Sequence, residues 1–132
     1  MQLTGSYKDR TKFRLAETYL LLAEAYLRQD MPDKAADAVN EVRRRAKVSD
    51  VSDEEMTMDF LLDERIRELY GEESRRFTLI RTGKLLERVR KYNPEARDLI
   101  QDFHELWPIP QAIRDANVGN FPQNPGYEGY EG

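Results

Sequence analysis

The stretch FRLAETYLLLAEAYLRQDMPDKAADAVNEVRRRAK, residues 13–47, decides the fold. Leu15, Tyr19, Leu22, Ala23, Tyr26 and Leu27 recur at helical spacing, which predicts an amphipathic helix that stops near Gln29. Asp30-Met31-Pro32-Asp33 reads as a turn, because a proline inside a helix removes a backbone donor and clashes with the preceding turn. A second helix follows, with Ala35, Ala36, Val39, Val42 and Ala46 on one side. Two helices with so short a joint form an antiparallel hairpin. Small residues at the crossing, Ala23 and Ala35, allow the axes to approach closely.

The hairpin has the spacing of a tetratricopeptide repeat, whose pattern positions are met in order by Tyr19, Leu22, Ala23, Tyr26, Ala35, Val39 and Val42. The repeat's usual turn glycine is Asp30, and its closing proline is missing. Only one such unit is legible, although stacked repeats need about three neighbours for stability. Either the rest of the chain caps the hairpin or other repeats have been lost.

Downstream the pattern stays helical. Ser52 and Glu55 have capping-box spacing and are expected to open a third helix, with Met58, Leu61, Leu62, Ile66, Leu69 and Tyr70 on its apolar face. Gly71 is expected to end it. A fourth helix is expected over about Arg75 to Arg90, weakened by Thr78, Thr82 and Gly83. A fifth starts at Asn93-Pro94, a good cap followed by a good first residue, and ends near Phe103. A helical turn is expected from Gln111 to Ala116. The segment LWPIPQAIRDANVGNFPQNPGY, residues 106–127, carries Pro108, Pro110, Pro122 and Pro125, which fix φ and remove donors. With Trp107, Ile109, Phe121 and Tyr127 between them, it reads as an ordered, extended strap rather than a disordered tail. No alternating strand is present. The expected fold class is therefore all-α: one domain over residues 1–132, with the hairpin at 13–47, further helices at 52–103 and the strap at 104–127.

Bulk properties bound the function. The chain has 132 residues and a net charge of −4, so no basic field supports nucleic-acid binding. No apolar run approaches a membrane span, and the N-terminus shows no signal-peptide core. Cysteine is absent, which excludes disulfides, thiolate catalysis and thiolate metal sites.

The densest charged stretch runs from Asp63 to Arg81. Glu64 and Glu68 share a helical face, as do Asp63 and Arg67, and Arg75, Arg76 and Arg81 follow. Paired carboxylates suit acid–base or metal chemistry. Interleaved arginines favour an ion-pair network at the crossing of the third and fourth helices instead. His104 is the only histidine, and no nucleophile motif accompanies it, so a structural role is expected. Arg43, Arg44, Arg45 and Lys47 could meet phosphate, but cations at a helix C-terminus are favourable in their own right. Of the aromatics, which include Tyr7, Trp107 is read as an anchor for the strap. Tyr92, Tyr127 and Tyr130 are the ones free enough to stack on a ligand. No catalytic, cofactor or metal residue is assigned, and ligand-binding residues are left unknown.

Five blocks carry a resemblance. RLAETYLLLAEA (14–25) is similar to "R-x-A-E-x-x-L-x-x-A-E-A", VNEVRRRA (39–46) to "N-x-V-R-x-R-A", and LDERIREL (62–69) to "E-R-x-x-E-L". RRFTLIRTGK (75–84) is similar to "R-x-x-D-L-x-R-x-G-K", and LWPIP (106–110) with QNPGY (123–127) to "P-I-P … Q-N-P-G-Y". Together and in this order they resemble the C-terminal region of the SusD/RagB family of outer-membrane nutrient-binding lipoproteins. Ser74 stands where the family usually has glycine, and Thr78 where it has aspartate. Family members are much longer and carry more helix pairs, so the resemblance implies a C-terminal scaffold fragment. It also implies binding of a glycan or other nutrient rather than catalysis, a SusC-like TonB-dependent transporter as partner, an outer-membrane, cell-surface location and no cofactor. An apolar face of the first helix left without its neighbours would favour self-association. The alternative is a free-standing tetratricopeptide-like scaffold for protein interactions.

Overall fold

The computed structural model describes residues 13–130, so Tyr7 lies outside the described residues. These residues are all-α: six α-helices and one 3-10 helix, with no strand among them. They fall into two compact units that meet in sequence at Ser74 and Arg75.

In the first unit α1 (Leu15–Leu27) and α2 (Pro32–Arg45) pack against each other across a tight joint. The Met31 N–H donates to the Tyr26 carbonyl at 3.0 Å and the Asp30 N–H to that of Leu27 at 3.2 Å. That closure places Asp30 at φ +58°, the left-handed position where a glycine is usual. Pro32 is the first residue of α2, where its missing N–H removes no helical bond. Leu20, Ala23, Ala35, Val39 and Leu61 are fully buried and form the centre of the core.

The inward stripe of α1 differs from the expected one. Ala16, Leu20, Ala23 and Glu24 turn inward, whereas Leu15 is 68% and Leu22 40% exposed. Tyr19 and Tyr26 flank the core half-buried. The cause is packing: α2 presents Ala35, Ala36 and Ala38, whose small side chains admit close approach and leave no depth for the tyrosines. Ala46, expected on the buried side, is the exposed cap residue beyond α2. Lys47 follows at φ +57°, with its own N–H and that of Val48 bonded back to Arg44 and Arg43, each at 3.0 Å.

The link to α3 (Met58–Glu68) is held from α2. Asn40 is buried and brackets Val51: its Nδ2 donates to the Val51 carbonyl at 3.0 Å, and its Oδ1 accepts from the Val51 N–H at 2.8 Å. Val51 and Met56 are thereby buried in the core. The Ser52–Glu55 box forms its reciprocal bonds, at 3.3 and 3.4 Å, but closes only a turn. Thr57 caps α3 instead, its hydroxyl accepting from the Phe60 N–H at 3.1 Å. On α3, Leu61 and Leu62 are buried as expected, while Ile66 is exposed and Arg65 takes the interior position. Tyr70, expected on that face, lies beyond the helix and is exposed, because α3 ends at Glu68 and Gly71 turns the chain at φ +76°.

In the second unit the helix expected over Arg75 to Arg90 is two helices, α4 (Arg75–Arg81) and α5 (Leu85–Tyr92). Gly83 breaks it at φ +67°, with the Lys84 N–H returned to the Leu79 carbonyl at 2.8 Å and the Gly83 N–H to that of Ile80 at 2.9 Å. The helix expected from Asn93 to Phe103 is a run of turns followed by a 3-10 helix, Asp102–Glu105. Asn93 does cap the first turn, its Oδ1 accepting from Glu95 and Ala96 N–H groups at 3.1 Å. Gln101 then turns extended and gives its N–H to His104 Nδ1 at 2.8 Å, a side-chain bond that competes with helix continuation.

Around α6 (Gln111–Asp115) two proline-containing segments are tied together by side chain to backbone bonds. Gln123, 7% exposed, accepts from the Ile109 N–H at 2.7 Å and donates to the Ile109 carbonyl at 2.9 Å. Asn124 Nδ2 donates to the Trp107 carbonyl at 2.7 Å, and the Tyr127 hydroxyl to that of Leu106 at 2.8 Å. Gly126, at φ +86°, lies so close to Phe103 that a Cβ there would fall 2.3 Å from the ring. Trp107 itself is 59% exposed, so the amides of Gln123 and Asn124, not the indole, anchor this segment.

Candidate functional site

The carboxylates singled out in the sequence sit inside an arginine lattice. Glu64 Oε2 accepts from Arg43 at 2.8 Å and Arg67 at 2.7 Å. Glu68 Oε1 accepts from Arg14 at 2.8 Å and Arg45 at 2.7 Å. Arg14 also donates to the Glu68 carbonyl at 2.8 Å and to Glu72 at 2.6 Å. Its pKa is raised, first by the hydrogen bond to Glu72 and then by that to Glu68. Arg65, 1% exposed, donates to Glu73 at 3.1 Å and lies 4.0 Å from Glu17. Glu64 and Glu68 thus tie α3 to α2 and to the start of α1. The geometry is that of a helix-fixing network: each carboxylate is already engaged by two guanidinium groups. Among the described residues no cluster of three or more acidic or histidine side chains could hold a metal.

The basic run ending α2 is likewise engaged. Besides its bond to Glu64, Arg43 donates to the Ser49 carbonyl at 2.7 Å. Arg44 pairs with Asp50 at 2.6 Å and Glu41 at 2.9 Å, and Arg45 with Glu68. His104 closes the 3-10 turn through Nδ1 and packs on Phe103 at 4.2 Å between ring centres. Of the aromatics left free by the sequence, Tyr127 is held through its hydroxyl. Tyr92 carries the Arg88 guanidinium at 4.8 Å and the Lys91 ammonium at 5.0 Å over its ring. Tyr130 is 48% exposed.

An open surface groove of about 390 Å³ lies between α1 and α2. Tyr19, Leu22 and Tyr26 form one wall, and Lys34, Asp37, Ala38, Glu41 and Arg44 the other. The apolar stripe continues past it through exposed Leu15. This is a shallow surface with an apolar side and a mixed-charge side.

The SusD family model matches residues 2–127, nearly the whole chain. The chain belongs to the SusD family. Among curated members it is 35% identical over 129 residues to the Starch-binding protein SusD of Bacteroides thetaiotaomicron, covering 91% of this chain and 22% of that protein. It is 35% identical to SusD-like protein P25 of Formosa agariphila over 113 residues, 77% of this chain and 21% of the relative. The figures for SusD-like protein P38 of the same organism are 32% over 108 residues, 74% and 20%. The chain therefore spans about a fifth of the length of the relatives it matches. No solved structure matches it significantly. The family blocks supply these ion pairs and the backbone clamps: Arg14 opens the first, Asn40 lies in the second, Glu64, Arg65 and Glu68 in the third, and Gln123 in the last. Asn40 and Gln123 were missed as backbone clamps because an amide on an apolar face reads as solvent-facing. The clue was their recurrence in the quoted blocks. Ser74, in place of the family's glycine, needs no positive φ here. Among the described residues no helix is long and apolar enough to cross a membrane.

Proposed function

We propose that this chain forms a C-terminal scaffold portion of a glycan- or nutrient-binding protein. The whole protein acts at the outer-membrane surface with a SusC-like TonB-dependent transporter, as binder rather than catalyst. The family match over residues 2–127 carries this reading, and the first named relative is described as starch-binding. The scaffold role is supported by where Arg14, Asn40, Glu64, Arg65, Glu68 and Gln123 of the blocks go: into ion pairs and backbone clamps. The α1–α2 hairpin is read as one tetratricopeptide-like unit, the segment at 104–127 as a closing strap, and the whole as one domain. The test is cross-linking on intact cells of the source organism, with the protein tagged in place. A TonB-dependent transporter as the cross-linked partner is the expected result. A protein confined to the cytoplasm, with no transporter in the cross-link, overturns the reading.

A second reading rests on the groove between α1 and α2, whose exposed apolar stripe fits a free-standing protein-interaction scaffold. It predicts that the 132-residue chain alone is a well-behaved monomer that retains an amphipathic helical peptide. Retention abolished by Leu22→Glu would favour it.

A further inference from the structure

The second unit contains a pocket of about 300 Å³ that no role above uses. Its apolar walls are Leu85 and Val89 of α5 together with Ala96, Leu99 and Ile100. Its polar lining is Arg76, Asn93 and His104, and the bonds already made by these three settle what they have left to offer. Asn93 spends its oxygen on two backbone N–H groups, leaving its Nδ2 donor. His104 Nδ1 accepts from the Gln101 N–H, which places the neutral ring's proton on Nε2, a donor. Arg76 stacks over Trp107 at 4.3 Å and donates through one Nη to the His104 carbonyl. Its Nε is buried and has no hydrogen-bond partner among the described residues. The polar side chains lining the pocket thus keep N–H groups that no bond uses, Arg76 being cationic and its unpartnered Nε lying beneath the surface, while no acidic side chain lines it.

A mostly apolar open pocket with only donors around it selects a molecule with an apolar body and an acceptor or anionic head, since charge-assisted bonds to a guanidinium are the stronger kind. A cavity of about 150 Å³ accommodates benzene, so a short aliphatic chain with its head group fits here. We propose that this open pocket binds a small apolar carboxylate, with Arg76 as the principal anchor, His104 and Asn93 as further donors, and Leu85, Val89 and Ile100 packing against the chain. The inference does not rest on the glycan reading: it concerns a different chemistry, and either can fail alone.

The test is a methyl and amide NMR titration of the 132-residue chain with hexanoate, using 1-hexanol as the neutral counterpart. Hexanoate is expected to give saturable shifts confined to Val89, Leu99, Ile100 and the His104 ring, and to bind about tenfold or more tighter than hexanol, the discrimination a lost charge-assisted bond gives. Arg76→Gln should bring the acid down to the alcohol. Because Arg76 also supports Trp107 and the His104 carbonyl, that variant could disturb the fold, so Leu99→Asp is the second arm. Leu99 is 72% exposed, so the substitution adds a repelling charge at the rim without removing core. It should weaken hexanoate severalfold more than hexanol, which loses only the apolar contact with Leu99. Equal affinity for acid and alcohol in the unsubstituted chain overturns the proposal. So do shifts that never saturate, or an unchanged preference in Leu99→Asp.

Discussion

Replacing Asn40 by alanine should destabilise the first unit far more than a polar-to-alanine change on a helix normally does. Asn40 is 5% exposed, and its amide makes both hydrogen bonds of the Val51 peptide, at 2.8 and 3.0 Å. Alanine leaves a backbone donor and a backbone acceptor orphaned beside a packed core. An orphaned buried group costs about 1–3 kcal/mol, and partial entry of water relieves some of it, so the expected loss is about 2–4 kcal/mol. With a urea slope of about 1–3 kcal/mol/M, the midpoint of the first unit's transition should fall by on the order of 1–2 M. Far-UV ellipticity is the suitable probe, because Trp107 lies in the other unit. Hydrogen exchange gives the local readout: the Val51 amide should lose protection before α1 and α2 do. Asn40→Asp sharpens the test, since it keeps an acceptor for the Val51 N–H but puts a carboxylate against the Val51 carbonyl. It should therefore be at least as damaging as alanine. An alanine variant within about 0.5 kcal/mol of the parent, the range of ordinary surface changes, with Val51 exchange unaltered, would refute the clamp.

Asp30 and Lys47 occupy left-handed positions at φ +58° and +57°, so Asp30→Gly and Lys47→Gly should each stabilise by about 0.5–1 kcal/mol, lysine more than aspartate because Asp tolerates this region better; thermal melts showing a loss for either would contradict the strain argument. Arg65→Met should cost about 3–5 kcal/mol by stranding Glu73 in the interior, and adding Glu73→Leu should recover most of that, as replacing a whole buried pair often does; a double variant no better than the single in chemical denaturation would show that the pair is not the cause. Phe13, Leu15 and Leu22 are 88%, 68% and 40% exposed, so the chain should self-associate with rising concentration and Leu15→Glu with Leu22→Glu should keep it monomeric; light scattering that finds the parent strictly monomeric at high concentration would remove that expectation.

What was legible in the sequence was helical periodicity and its punctuation. Pro32 and Asp30 marked the joint between α1 and α2, and Gln111 marked α6. Errors arose where one signal had two structural uses. The box spacing of Ser52 and Glu55 is the same whether it closes a turn or opens a helix, and burial of Met56 decides for the turn. A run such as LLLA in α1 is apolar on more than one face, so only the alanines of α2 settle that Leu20 and not Leu22 points inward. Gly83 was read as a weakness inside one helix, but its positive φ with two returned N–H groups makes it a stop. Of the candidate site, the carboxylates and arginines were recognised as a network, while the partners in α2 and at the start of α1 were not: Arg14 is 54 residues from Glu68, and no local spacing reports such a contact.

The block residues share one physical task. Arg14, Asn40, Glu64, Glu68 and Gln123 each satisfy a charge or a backbone group belonging to an element distant in sequence. Non-local bonds of this kind fix how helices and loops meet, and a buried donor or acceptor without its partner is costly. Substitution at these positions should therefore lower stability before it alters any affinity. A ligand, in contrast, must be met by groups with unused bonding capacity, and these five side chains already spend theirs within the fold. In the second unit such capacity collects at Arg76, Asn93 and His104, of which only Arg76 belongs to a block. The residues that identify the family and the residues available to a ligand are thus largely separate sets. A stability screen and a binding screen over the same variants should consequently select different positions.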